Sequence, residues 1–118
     1  MGATLTASPG CNCGGDVAIP RESIQTITVE DLVFREDPTG ATAEFAFLGP
    51  EGTRPITSWT AGTLGPVIAE TGAWRTSAET PQIGTGPLDL TVGFWRLFGR
   101  FTFSGDTIVV ELGTIRIT

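Results

Sequence analysis

Between Ile24 and Glu36 apolar and polar residues alternate with a period of two, the signature of a strand with one buried face. Ile27 and Val29 set the apolar parity, and Leu32 and Phe34 then carry it on the other parity. The switch falls at Glu30-Asp31 and predicts a β-bulge, because one extra residue reverses the facing of every later side chain. Asp37-Pro38-Thr39-Gly40 follows, with Asp, Pro and Gly in the places a type I turn prefers. A second strand is expected over Thr42–Leu48. With Pro38–Ala41 as the loop, the two strands form a hairpin in which Phe34 faces Phe45, Leu32 faces Phe47 and Arg35 faces Glu44.

The last third of the chain is patterned as clearly. Leu88, Leu90, Val92 and Phe94 alternate with Asp89, Thr91, Gly93 and Trp95. Gly105-Asp106 is the expected tip of a hairpin with a type II′ turn. That register sets Phe103 opposite Ile108, Phe101 opposite Val110, Arg100 opposite Glu111 and Gly99 opposite Leu112. Beyond Gly113 the apolar parity moves from 108, 110 and 112 to 115 and 117, which marks a sharp bend. Between these regions, prolines at 50, 55, 66, 81 and 87 cut residues 49–87 into short pieces. Ile56–Thr60, Val67–Glu70 and Ala73–Ser77 read as strands, several at sheet edges where a missing N–H is tolerated. No amphipathic helix is patterned anywhere. The expected fold is all-β: a small antiparallel β-sandwich or barrel of about 7–8 short strands in one domain, 23–118. Residues 1–22, rich in Gly, Ala, Thr, Pro and Cys and without apolar periodicity, read as an extended N-terminal arm.

Composition narrows the function classes. The 118 residues include no His, no Lys and no Tyr, and all seven cations are Arg. The net charge of −6, with arginines scattered singly apart from Arg96 and Arg100, argues against nucleic acid and anionic membrane surfaces as partners. Met1–Gly10 has neither the basic nor the apolar region of a secretory signal, and no stretch has the length and apolarity of a membrane span. Proton transfer near neutral pH has no histidine to use, and a Schiff base has no lysine. No phosphate loop, nucleophile elbow or dinucleotide fingerprint occurs, so no cofactor is implied and the chain reads as a non-enzyme.

Three clusters remain. Cys11 and Cys13 supply half of a tetrahedral zinc shell with no His to complete it. A bridge between residues two apart is strained, so their functional reading is at an interface where neighbouring chains pool thiols. The plain alternative is two ordinary thiols. The carboxylates Glu30, Asp31, Glu36, Asp37, Glu70 and Glu79 lack calcium-loop spacing and read as solvated charges on strands and turns. Trp59, Trp74 and Trp95 suit either core packing or a flat aromatic platform. Trp95-Arg96 is the candidate interface pair, since Trp and Arg dominate interface hot spots. Exposed tryptophans would instead serve a carbohydrate- or ligand-binding module.

In its size, β content, N-terminal arm and lack of catalytic residue types, the chain resembles the small virion proteins of tailed bacteriophages, of the capsid decoration (cement) or head–tail connector kind. The resemblance implies a structural protein of the virion, assembled in the host cytoplasm. It also implies a homo-oligomer, such as a trimer, that binds its own copies or capsid protein. Its arm would order on a partner by strand addition. Removing residues 2–22 is then expected to abolish assembly and leave the domain folded.

Overall fold

The computed structural model describes residues 3–6, 15–49, 59–85, 88–103 and 105–118. Among these, ten strands run in chain order: β1 (Ala3–Thr6), β2 (Gly15–Ile19), β3 (Ile27–Phe34), β4 (Thr42–Leu48), β5 (Thr60–Ala61), β6 (Thr63–Leu64), β7 (Ile68–Glu70), β8 (Ala73–Glu79), β9 (Gly93–Phe103) and β10 (Asp106–Ile117). They form two five-stranded sheets. One has the order β1-β3-β8-β6, with β7 also on β8, and the other has the order β2-β10-β9-β4-β5. The all-β expectation holds, with ten strands among the described residues where the sequence pattern suggested seven or eight.

The sheets share one apolar core. Ile27, Val29, Leu32, Phe34 and Ala78 from the first sheet meet Phe45, Leu97, Phe101, Leu112, Ile115 and Ile117 from the second. Phe101 is the centre, with the rings of Phe34 and Phe45 edge-on to it at 5.3 and 6.4 Å between centroids. Each fully buried side chain of this size contributes roughly 1.5–3 kcal/mol.

The predicted bulge is present. The β3–β8 register shifts between Val29 and Leu32, and Asp31 adopts a left-handed φ of 59°. This extra residue brings both Val29 and Leu32 onto the core side. The parity switch near Gly113 is likewise a bulge, with the β9–β10 register slipping between Glu111 and Gly113.

Three expectations are corrected. First, β3 and β4 do not form a hairpin; they lie in opposite sheets, joined by an arch over residues 35–41. Phe34 and Phe45 still converge, but across the core on Phe101, and Glu44 pairs with Arg100 instead of Arg35. Second, the β9–β10 hairpin turns between Phe103 and Asp106, not at Gly105-Asp106. Phe103 pairs with Asp106, Thr102 with Thr107 and Arg100 with Val109. The shift is two residues, which leaves every inward side chain inward, so apolar alternation cannot distinguish the registers. Gly105, at φ 81°, takes the second central position, where a residue with a Cβ is disfavoured. Third, the segment read as an arm supplies β1 and β2. Both pair in parallel, β1 with β3 and β2 with β10, so the sheets are not purely antiparallel. Ile19 at the end of β2 is buried in the core. The domain itself pairs residues 3–6 and 15–19.

The remaining strands close one side of the fold. β5 lies on β4 and β6 on β8, so the chain crosses from one sheet to the other at Gly62. A Cβ at Gly62 would overlap the Phe45 ring and stand 2.5 Å from the Glu79 carbonyl oxygen, so only glycine allows the crossing. Past β6, Gly65-Pro66 interrupts the edge before β7. Thr76 Oγ1 lies 3.1 Å from the Gly65 carbonyl oxygen and 3.0 Å from that of Pro66, and hydrogen-bonds the strand edge at the break.

Candidate interaction surface

The outward face of the second sheet is built by the even positions of β9. Odd positions Leu97, Gly99, Phe101 and Phe103 are buried toward the core, and Trp95 packs against it. Even positions Phe94, Arg96, Phe98, Arg100 and Thr102 therefore face outward. In its middle this face is roofed by its own side chains. Phe98 is fully buried although it points away from the core, and Ala46 beside it on β4 is buried as well. The Arg96 guanidinium sits over the Phe98 ring, 5.1 Å from its centroid, and is held by both carboxylate oxygens of Glu111 at 3.0 and 3.2 Å. Arg100 repeats the device, lying 4.6 Å from the Trp59 ring centroid while its guanidinium reaches Glu44 at 2.9 Å. The hydrogen bonds and charge of Glu111 raise the Arg96 pKa still further above the physiological range, so the roof stays ionised.

The roof stops short of the start of β9. Phe94 is 61% exposed and Val92, just before the strand, 66%. Phe94 lies beside Arg116 of β10, and Arg116 beside the exposed Ala18 of β2, so an apolar and cationic row crosses three strands. Arg116 makes no ion pair with the described residues.

The other sheet carries a comparable but more heavily charged row. Arg75 on β8 stands between Val33 of β3 and Ile68 of β7. It binds Asp31 at 2.9 Å and Glu70 at 3.2 Å, and both hydrogen bonds raise its pKa. Two carboxylates singled out in the sequence thus clamp one cation. Asp37 has a local role instead: its Oδ1 accepts hydrogen bonds from the Thr39 backbone N–H and hydroxyl, which lower its pKa below the usual carboxylate value.

The sequence candidates separate in space. Trp95 and Arg96 are adjacent in the chain but point to opposite faces. Trp95 is half-buried, its ring over Gly49 and its Nε1 donating to the Thr91 carbonyl at 2.8 Å, while Arg96 lies outside in the Glu111 pair. Trp74, paired with Phe34, faces inward at the far end of the core, and Trp59 lies on the outer face under Arg100. All three tryptophans are half-buried and lie in three different places, so they do not form a common exposed strip. Cys11 and Cys13 lie outside the described residues.

Sequence reasoning missed Phe94 and Val92, which it set on the buried face with Leu88 and Leu90. Leu90 is buried, but the strand begins only at Gly93 and the parity is not continuous across it. Reading backward from Phe103 would have placed Phe94 correctly, because positions 95, 97, 99, 101 and 103 carry no polar residue whereas 96, 100 and 102 do.

One open cleft of about 880 Å3 lies between residues 39–44 and 61–67. Among the described residues Glu44 is the only ionisable one lining it, and Arg100 holds that carboxylate. Among the described residues there is no cluster of three or more His, Cys, Asp or Glu suited to a metal ion, and no helix long and apolar enough to cross a membrane. Neither protein-family models nor curated proteins give a match to this chain.

Proposed function

We propose that this chain is a non-enzymatic structural subunit of a larger protein assembly, and that Val92, Phe94 and Arg116 contact its partner. The observation that carries this reading is the contrast within one strand. Phe98 is sealed beneath an arginine–carboxylate pair, whereas Phe94, four residues earlier on the same face, is 61% exposed beside Arg116. A large aromatic next to a guanidinium is the composition that anchors protein interfaces, and an apolar pair left open is a marker of contact. The assembly proposed is a virion, of the capsid decoration type that the chain resembles, with capsid protein or further copies of the chain as partners.

The test is sedimentation of tagged protein with particles from its source. Wild-type protein should band with particles, and Phe94→Ser with Val92→Ser should move most of it to the free fraction while the circular dichroism spectrum stays unchanged. Wild-type protein found only in particle-free fractions would overturn the reading.

A further inference from the structure

The β9–β10 hairpin carries exposed apolar residues at both ends, and the charges beside them are opposite in sign. At the open end stand Val92 and Phe94 with Arg116 and Arg96. Glu111 pairs with Arg96, and Arg116 makes no ion pair with the described residues. At the tip, Asp106 through Val109 are all exposed, with Ile108 at 39% and Val109 at 41%. Ile108 is exposed although it pairs with the buried Phe101, because β2 pairs with β10 only from Gly113 onward and, among the described residues, the tip half of β10 has no partner but β9. The arch over 35–41 lies at this same end, because Phe34 packs on Phe103 and Thr42 pairs with Thr102. Glu36 and Asp37 of the arch join Asp106, giving three carboxylates against Arg35 alone. The hydrogen bonds from Thr39 keep Asp37 ionised to lower pH than an ordinary aspartate.

From Phe94 to Phe103 is about 30 Å of extended strand, most of the 41 Å length of the molecule. The two ends therefore cannot satisfy each other within one copy.

From this complementarity we infer that the Phe94–Arg116 face of one copy receives the Asp106–Val109 hairpin tip of a second copy, in a head-to-tail contact. Such a contact is heterologous, so it makes a closed ring if the rotation between copies closes and a filament if it does not. The inference rests on the assembly reading above, and it names a second copy as the partner of that face.

The experiment is native mass by light scattering across a concentration series, with two exposed-residue variants. Wild-type protein should form oligomers. Phe94→Ser, which removes the receiving face, and Asp106→Arg with Val109→Ser, which removes the tip, should each weaken association at least about tenfold and run as monomers. Mixed one to one, they should give a dimer and nothing larger, because each retains the half that the other lacks. Circular dichroism of each variant alone checks that the fold is kept. The head-to-tail contact is overturned if wild-type protein stays monomeric, if the tip variant oligomerises like wild type, or if the mixed variants remain monomers. Wild-type protein that is monomeric yet bands with particles would overturn this contact alone and leave the assembly reading standing.

Discussion

At the residue scale, Asp31 shows how one position redirects a strand. Its φ of 59° is a conformation that Asp and Asn tolerate and β-branched residues do not. Its carboxylate also accepts from Arg75 at 2.9 Å. Asp31→Asn keeps the backbone preference and loses only an exposed ion pair, so it should cost at most about 1 kcal/mol. Asp31→Val adds left-handed strain of about 1–2 kcal/mol and should lower the urea midpoint visibly more. Equal midpoints for the two variants would show that the bulge does not depend on this backbone angle. Asp37 makes a pH prediction. Its folded pKa lies below the ordinary aspartate value, held there by the Thr39 hydroxyl and backbone N–H. Its contribution is therefore complete above the unfolded pKa and is lost as pH falls through the folded value. Asp37→Asn should flatten the fall in melting temperature on the acid side of pH 4 and leave its slope near neutral pH unchanged. A thermal-melt series from pH 7 to pH 2 on both proteins checks this.

At the element scale, the N-terminal strands change what a truncation does. β2 covers the edge of β10 over five paired residues, Gly113 to Ile117, and brings Ile19 into the core. Removing residues 2–22 would uncover that edge and take away a fully buried isoleucine. Losing such a side chain alone costs about 2–5 kcal/mol. The truncated protein should therefore unfold at room temperature or melt well below the full chain, in contrast to the separable arm that composition suggested. Ile19→Ala tests the same point more gently, by the loss of several degrees in melting temperature. An unchanged melting temperature for the truncated protein would show that β2 is dispensable.

At the scale of the whole molecule, the tryptophans report on different regions of one fold. Trp95 packs against the core, Trp74 pairs with Phe34 on the first sheet, and Trp59 lies on the outer face of the second sheet. Because the sheets share a single apolar cluster, unfolding should be one cooperative transition. Fluorescence and far-ultraviolet circular dichroism should then give superimposable urea curves. A fluorescence transition that precedes the loss of β signal would show that one end opens independently.

Period-two alternation determined the β class, the faces of β3, β4 and the C-terminal half of β9, and the bulge in β3, because inward or outward facing is a property of the single strand; the parity switch read as a bend near Gly113 is a bulge in the structure. Alternation put Phe34 and Phe45 near one another. It did not determine their sheet, since a hairpin partner and a strand across the core bury the same face. It could not separate hairpin registers two residues apart, which present identical faces. Composition hid β1 and β2, because a parallel edge strand is held by backbone hydrogen bonds that leave little trace in side-chain pattern. The tertiary structure alone decided that the Glu44 carboxylate meets Arg100, 56 positions away in the chain. It alone also decided that Phe98 is buried while Phe94 stays open, since both lie on the same face of one strand and alternation cannot tell them apart.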